Sequence, residues 1–307
     1  MADKSNFLLR SFYKIFLSEE KYKNYKNFFK LEKEIKYFKK NLEPYLFEIQ
    51  EKLKKKKEIS ILHSGHTGDI INILPIIKQI SKAHVCKLYI NLNKPIGTHY
   101  AHHPAGQVYI NKKIYDKLLP LLQTQRKIFS TEIFNNHHID INFDLIRKLP
   151  ISLNFDSQRY AFHLSGIQTD LNQQFLEVDE HKSLKKKIII LRSLRHQNHF
   201  INYRFLAKYN DVFFIGMDYE YNDLKKTLPN LKFYECLNFL DMAQVIKSSR
   251  LFIGNSSLGF AIAEGLKVPR LLEASPLNPT QQIHGKNAYD FYFQNHFEKY
   301  FDLLYNG

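Results

Sequence analysis

Twice in this chain a short run of branched apolar residues stops at a glycine-containing loop and gives way at once to a helical apolar pattern. In the first case Ile59, Ile61 and Leu62 lead into a loop with Gly65 and Gly68, followed directly by Asp69. Ile70, Ile73, Leu74 and Ile77 then fall on one helix face. Strand, glycine loop, acidic residue and helix is how an α/β domain presents a reactive group at the carboxyl edge of its sheet. The two glycines allow a tight turn and close approach of a ligand. Asp69, at the start of the helix, is equally suited to capping its free N–H groups. In the second case Leu251–Ile253 runs into Gly254, Asn255, Ser256 and Ser257, and an apolar helix follows to Leu266. That loop offers backbone N–H groups and two hydroxyls at a helix N-terminus, a natural receptor for phosphate. Two such loops far apart in the chain imply two α/β domains facing each other across a cleft.

Gly68-Asp69, five residues and then Pro75 preceded by Leu74 resembles the N-terminal signature of the heptosyltransferase-like glycosyltransferases (glycosyltransferase family 9). Phe252-Ile-Gly-Asn, Ala263 and Gly265-Leu-Lys-Val-Pro269 resemble their C-terminal nucleotide-binding signature. The resemblance spans residues 58 to 295. It implies the GT-B fold, two Rossmann-like domains with a nucleotide-sugar donor held mainly by the second. It also implies no metal, no cofactor beyond the donor, and inversion at the anomeric carbon. Asp69 matches the position of the family's proposed catalytic aspartate. Where the family commonly has Asp-Thr-Gly and then a histidine, this chain has Ser256, Ser257 and Leu258, with Ala261 near the histidine position. Those departures leave the donor sugar open.

Lys and Arg exceed Asp and Glu by 15, which points to polyanionic partners, phosphorylated substrates or anionic lipid among them. Much of that excess lies in residues 1–57. Phe7, Leu8, Phe12, Ile15 and Phe16 make one apolar stripe there; Phe28, Phe29, Leu31, Ile35 and Phe38 make a second. Pro44 opens a last helix, which ends in four consecutive lysines, Lys54–Lys57. The stripes are expected to pack on the first α/β domain as an extra helical layer, and the lysines to face an anionic membrane. Cys86 and Cys236 lack metal or redox spacing and read as reduced, buried thiols of a cytoplasmic chain. No run approaches the roughly 18 apolar residues of a membrane span, so any membrane contact is peripheral.

The expected organisation is a basic helical extension at 1–57, an acceptor domain at 58–175 and a nucleotide-sugar domain at 176–307, with a polar linker near 170–183. Expected strands in the first domain are Ile59–Leu62 and Val85–Leu92, with Gln107–Ile110 and Lys127–Phe129 as short candidates. One helix should run to about Ser81. The second domain should hold five strands, the last at Arg270–Leu272, and a helix at Tyr203–Lys208.

Transfer of a sugar to a hydroxyl needs a base, cationic or N–H-rich groups for the departing diphosphate, and a nucleoside pocket. Asp69, beside Gly65 and Gly68, is the candidate base. Arg192 and Arg195 follow a parallel strand and suit the diphosphate, as do Gly254, Asn255, Ser256 and Ser257. Glu220 and Glu264 compete to accept ribose hydroxyls. His99, His102, His103, His137 and His138 lack the spacing of a zinc site. The reading is a glycosyltransferase acting on a bacterial surface glycan or glycolipid. An inactive nucleotide- or glycan-binding relative, a sugar-nucleotide epimerase and a sialyltransferase (from His103-Pro104 and Ser256-Ser257) are the alternatives. No nucleic-acid-binding motif accompanies the charge.

Overall fold

Three helices lead the chain: α1 (Asp3–Phe16), α2 (Glu19–Asn41) and α3 (Glu43–Lys55). The computed structural model describes residues 3–97, 103–126, 128–150, 156–277 and 279–307, with side chains from Phe7 onward. His99, His102 and Lys127 lie outside the described residues. Ser18 caps α2, its hydroxyl accepting from the Lys21 N–H, and Pro44 sits in the first turn of α3, where a missing N–H costs nothing. The expected packed layer is α3 alone. Ile49 is fully buried, and the Tyr45 hydroxyl accepts from the Asn142 N–H at 2.5 Å. By contrast α1 and α2 meet each other through the rings of Tyr13 and Tyr25 and leave Phe7, Leu8, Phe12, Ile15 and Phe16 of the first stripe, and Phe28, Leu31 and Ile35 of the second, exposed to solvent. Periodicity identified these apolar faces but could not show that the body offers no surface opposite them.

From Glu58 the chain alternates strand and helix. β1 (Glu58–His63) is followed by α4 (Thr67–Asn72), α5 (Leu74–Ile80) and β2 (Val85–Ile90). The single helix expected here is two, because Pro75 has no N–H to continue the first one's ladder. Next come α6 (Lys112–Thr124), β3 (Phe129–Ile133), the two-residue β4 (Ile141–Asn142), a 3₁₀ helix at Phe143–Lys148, and α7 (Arg159–Ser165). The sheet is all parallel in the order β3-β2-β1-β4. Gln107–Ile110 is no strand; only Val108 forms a bridge, with Pro95.

The second sheet begins with β5 (Ile188–Leu191) and β6 (Val212–Phe214). It continues through α8 (Asp218–Lys225), β7 (Lys232–Phe233), α9 (Phe239–Lys247), β8 (Leu251–Asn255) and α10 (Leu258–Leu266). It closes with β9 (Arg270–Glu273), β10 (Ala288–Phe291) and α11 (Gln294–Asn306). Its six parallel strands run β10-β9-β8-β5-β6-β7, one more than expected. The helix expected at Tyr203–Lys208 is a 3₁₀ turn over Arg204–Lys208. Relabelled from β5, the order is the 3-2-1-4-5-6 of dinucleotide-binding sheets, in which ligands meet the crevice where the strand order reverses. That reversal lies between β5 and β8; in the first sheet it lies between β1 and β4. Alternation along β5 puts Ile189 and Leu191 in a core shared with the first sheet. Ile188 and Ile190 fall in a second core, which α11 covers with Phe297 and Phe301. Both reversal points open towards one cleft.

Candidate functional site

The first wall of that cleft is the loop between β1 and α4. Gly65 has no side chain for a steric reason: a Cβ there would lie 2.8 Å from Asp69 Oδ2. That same oxygen accepts the His66 N–H at 3.1 Å, capping α4, and takes Arg147 NH2 at 2.6 Å. Arg147 arrives from the 3₁₀ helix after β4, so the carboxylate and its cation come from the two sides of the strand-order reversal. The guanidinium lies over the Tyr109 ring, 4.5 Å from its centroid. Asp69 Oδ1 has no hydrogen-bond partner among the described residues, and the side chain lines the cleft. Burial opposes ionisation of Asp69, but the Arg147 charge, helped by His66 and His63, outweighs it and holds the carboxyl below its ordinary range. Beneath it His63 is fully buried. Its Nδ1 accepts the Gly65 N–H at 2.8 Å, and burial drives its pKa down to about 4.

The second wall is made by the loops after β5 and β8. Arg195, His196, Glu220, Ser256, Ser257 and Leu258 line the cleft opposite Gly68 and Asp69; its volume is about 440 Å³. A Cβ at Gly68 would point at the Leu258 backbone, 3.8 Å away, so the two glycine loops of the sequence face each other directly. Glu220 accepts from the N–H groups of Met217 and Leu194, each at 3.3 Å, and burial raises its pKa. Burial lowers His103 and His196 to about 4 and also lowers His66, so the cleft imidazoles are neutral at pH 7. Arg195 carries charge on the second wall, as Lys113 and Lys117 of α6 do on the first.

Four candidates stand elsewhere. Arg192 does not reach the cleft: its Nε and NH2 fork onto the buried Glu273 at 2.7 and 2.9 Å. Glu264 is fully buried against Arg270 (2.6 Å) and Lys267 and does not line the cleft. Asn255 is fully buried and spends its amide on Ser193, accepting its N–H and donating to its carbonyl. Gly254 keeps β8 tight against β5, since a Cβ would sit 2.9 Å from the Leu191 carbonyl. Asp69, Gly68, Arg195, Glu220, Ser256 and Ser257 are brought together. Arg147 and Tyr109 escaped the sequence reading, because a two-residue strand and a 3₁₀ turn leave no periodic signal. Among the described residues, no group of three or more His, Cys, Asp or Glu side chains is arranged to hold a metal ion.

No protein-family model and no curated protein sequence matches the chain. Solved structures do. TibC, an iron-containing dodecameric glycosyltransferase of enterotoxigenic E. coli, superposes with a TM-score of 0.51 at 12% identity, over 76% of this chain and 62% of that one. The fold is heptosyltransferase-like GT-B. A glycosyl transferase family 9 protein of Veillonella parvula matches at 14% identity over 79% of this chain and 88% of that one, with a TM-score of 0.47. E. coli heptosyltransferase WaaC with ADP matches at 11% identity over 80% and 99%, with a TM-score of 0.48. On the GT-B frame the two walls described above are the facing edges of its two parallel sheets.

Proposed function

We propose that the chain is a glycosyltransferase. It moves a sugar from a nucleotide-sugar donor to a hydroxyl of a bacterial surface glycan or glycolipid, at the inner face of the cytoplasmic membrane. The observation that carries the reading is the convergence of Asp69 with Arg195, Glu220 and the Ser256–Ser257 loop on opposite walls of one cleft. In this reading the acceptor hydroxyl gives its proton to Asp69 Oδ1, the carboxylate oxygen that neither the helix cap nor Arg147 uses. The hydroxyl oxygen attacks the anomeric carbon from the side opposite the departing diphosphate, and the configuration inverts. The negative charge that builds on the leaving phosphate is met by Arg195 and by the hydroxyls and N–H groups at the start of α10, with no metal needed for that task. Glu220, lying beside the β5 and β6 ends, accepts the ribose hydroxyls. The ADP-D-β-D-heptose complex of TibC favours a nucleotide-sugar donor without naming the sugar here.

Turnover against a panel of nucleotide sugars tests the reaction; nucleotide binding without turnover on any of them would favour a binding protein. Arg195→Ala tests the phosphate assignment. It should weaken a nucleoside diphosphate by about 10- to 100-fold, the scale of a lost charge-assisted contact, and leave the free nucleoside unchanged. Equal loss for both ligands, read by calorimetry, would make Arg195 a shaping residue with no phosphate contact.

A further inference from the structure

We infer that α1 is a surface anchor that lays Phe7, Leu8, Phe12, Ile15 and Phe16 into an anionic lipid bilayer. This goes beyond the transferase reading, since binding to a bilayer is measured without turnover. The observation is an inverted helix. On α1 the side turned to the protein carries Tyr13, whose ring lies 4.3 Å from that of Tyr25 on α2. The five large apolar side chains point away from it, each between 56% and 74% exposed. A contiguous apolar face of this kind marks a contact surface.

Charge decides what covers it. Arg10 and Lys14 on α1 and Lys21 and Lys26 on α2 have no carboxylate partner among the described residues, whereas Lys23 and Lys30 pair with Glu19 and Glu34. A second copy of the chain would press the same positive charge onto this face. An anionic bilayer supplies an apolar layer and the opposite charge together. Among the described residues no helix is long and apolar enough to cross a membrane, so α1 lies in the interface plane. The lysine run expected to do this is partly occupied: Lys54 and Lys55 pair with Glu51, and Lys56 with Asp140. The docking element is the apolar face of α1, with the free cations beside it.

The chain has no tryptophan, so Phe12→Trp in the full-length protein gives a single reporter at the centre of the face. Its emission should shift to the blue on vesicles containing phosphatidylglycerol and stay unchanged on pure phosphatidylcholine. In flotation at low salt, Phe12→Ser/Phe16→Ser should lose roughly tenfold or more of its vesicle binding, because buried apolar area is lost. Lys54→Gln/Lys55→Gln should lose far less. Both phenylalanines are exposed, so a thermal melt should confirm an unchanged fold. An unshifted tryptophan on anionic vesicles, or equal binding by the serine pair, overturns the proposal. So does a sedimenting dimer that the serine pair abolishes, since it would assign the face to a second copy.

Discussion

Asp69→Asn should reduce sugar transfer by about 10²-fold or more while nucleotide binding is retained, the scale of removing a general base. The substitution keeps an oxygen for the His66 N–H and so spares the cap on α4, but it removes the charge that takes the acceptor proton in the proposed reaction. The pH dependence separates this role from capping. A base works when ionised, and Arg147 holds Asp69 ionised to below the ordinary carboxylate range, so the acid limb of the wild-type rate profile should fall there. Arg147→Met removes the largest lowering influence and leaves burial to raise the pKa. Activity should then be lost earlier as the pH falls, and the acid limb should move up. A folded Asp69→Asn protein with normal turnover would leave Asp69 a cap, and an unmoved acid limb in Arg147→Met would remove Arg147 from the mechanism.

Arg192→Ala should damage the fold itself. Besides the Glu273 fork, its NH2 donates to the Asn198 carbonyl, and its guanidinium lies 4.9 Å from the Tyr203 ring centroid. Glu273 is fully buried and also accepts from the Tyr203 hydroxyl at 2.7 Å and the Asn198 N–H at 2.5 Å. Removing the arginine strands a buried carboxylate, which costs about 3–5 kcal/mol. Urea unfolding should show a lower midpoint with an unchanged slope. Arg195→Ala, in the same loop, should lower that midpoint far less, since Arg195 lines the cleft while Arg192 holds the buried Glu273. A midpoint for Arg192→Ala close to wild type would mean that the fork contributes little and that Arg192 is free to serve a ligand.

These two arginines also mark how far the sequence could be read. A charged residue just past a parallel strand was recognisable as facing the crevice region, but not which of two would turn inward. That depends on Glu273, the last residue of β9, and pairing across a sheet leaves no local trace. The glycine loops were legible because each combines a strand-to-helix change of period with residues that permit a turn. Asp69 was legible for the same reason, whereas Arg147 was not: it follows a strand of two residues. Ser256 and Ser257 fall in the cleft by chain order alone, while the Asn255 side chain is held by the Ser193 backbone, a pairing between loops that leaves no local trace. The apolar stripes of α1 and α2 were plain in the periodicity, but a stripe does not say whether protein or lipid lies against it.

The two hydrogen bonds between the Asn255 amide and the Ser193 backbone bear on how the site can move. They fasten the turn that carries Arg195 to the turn that carries Ser256 and Ser257, so a swing of one turn alone would break both bonds. The second wall of the cleft is in this sense a single jaw. The two walls meet where α4 packs on α10 and α6 on α9, and the irregular chain from α7 to β5 joins them, so any closure of the cleft would be absorbed there.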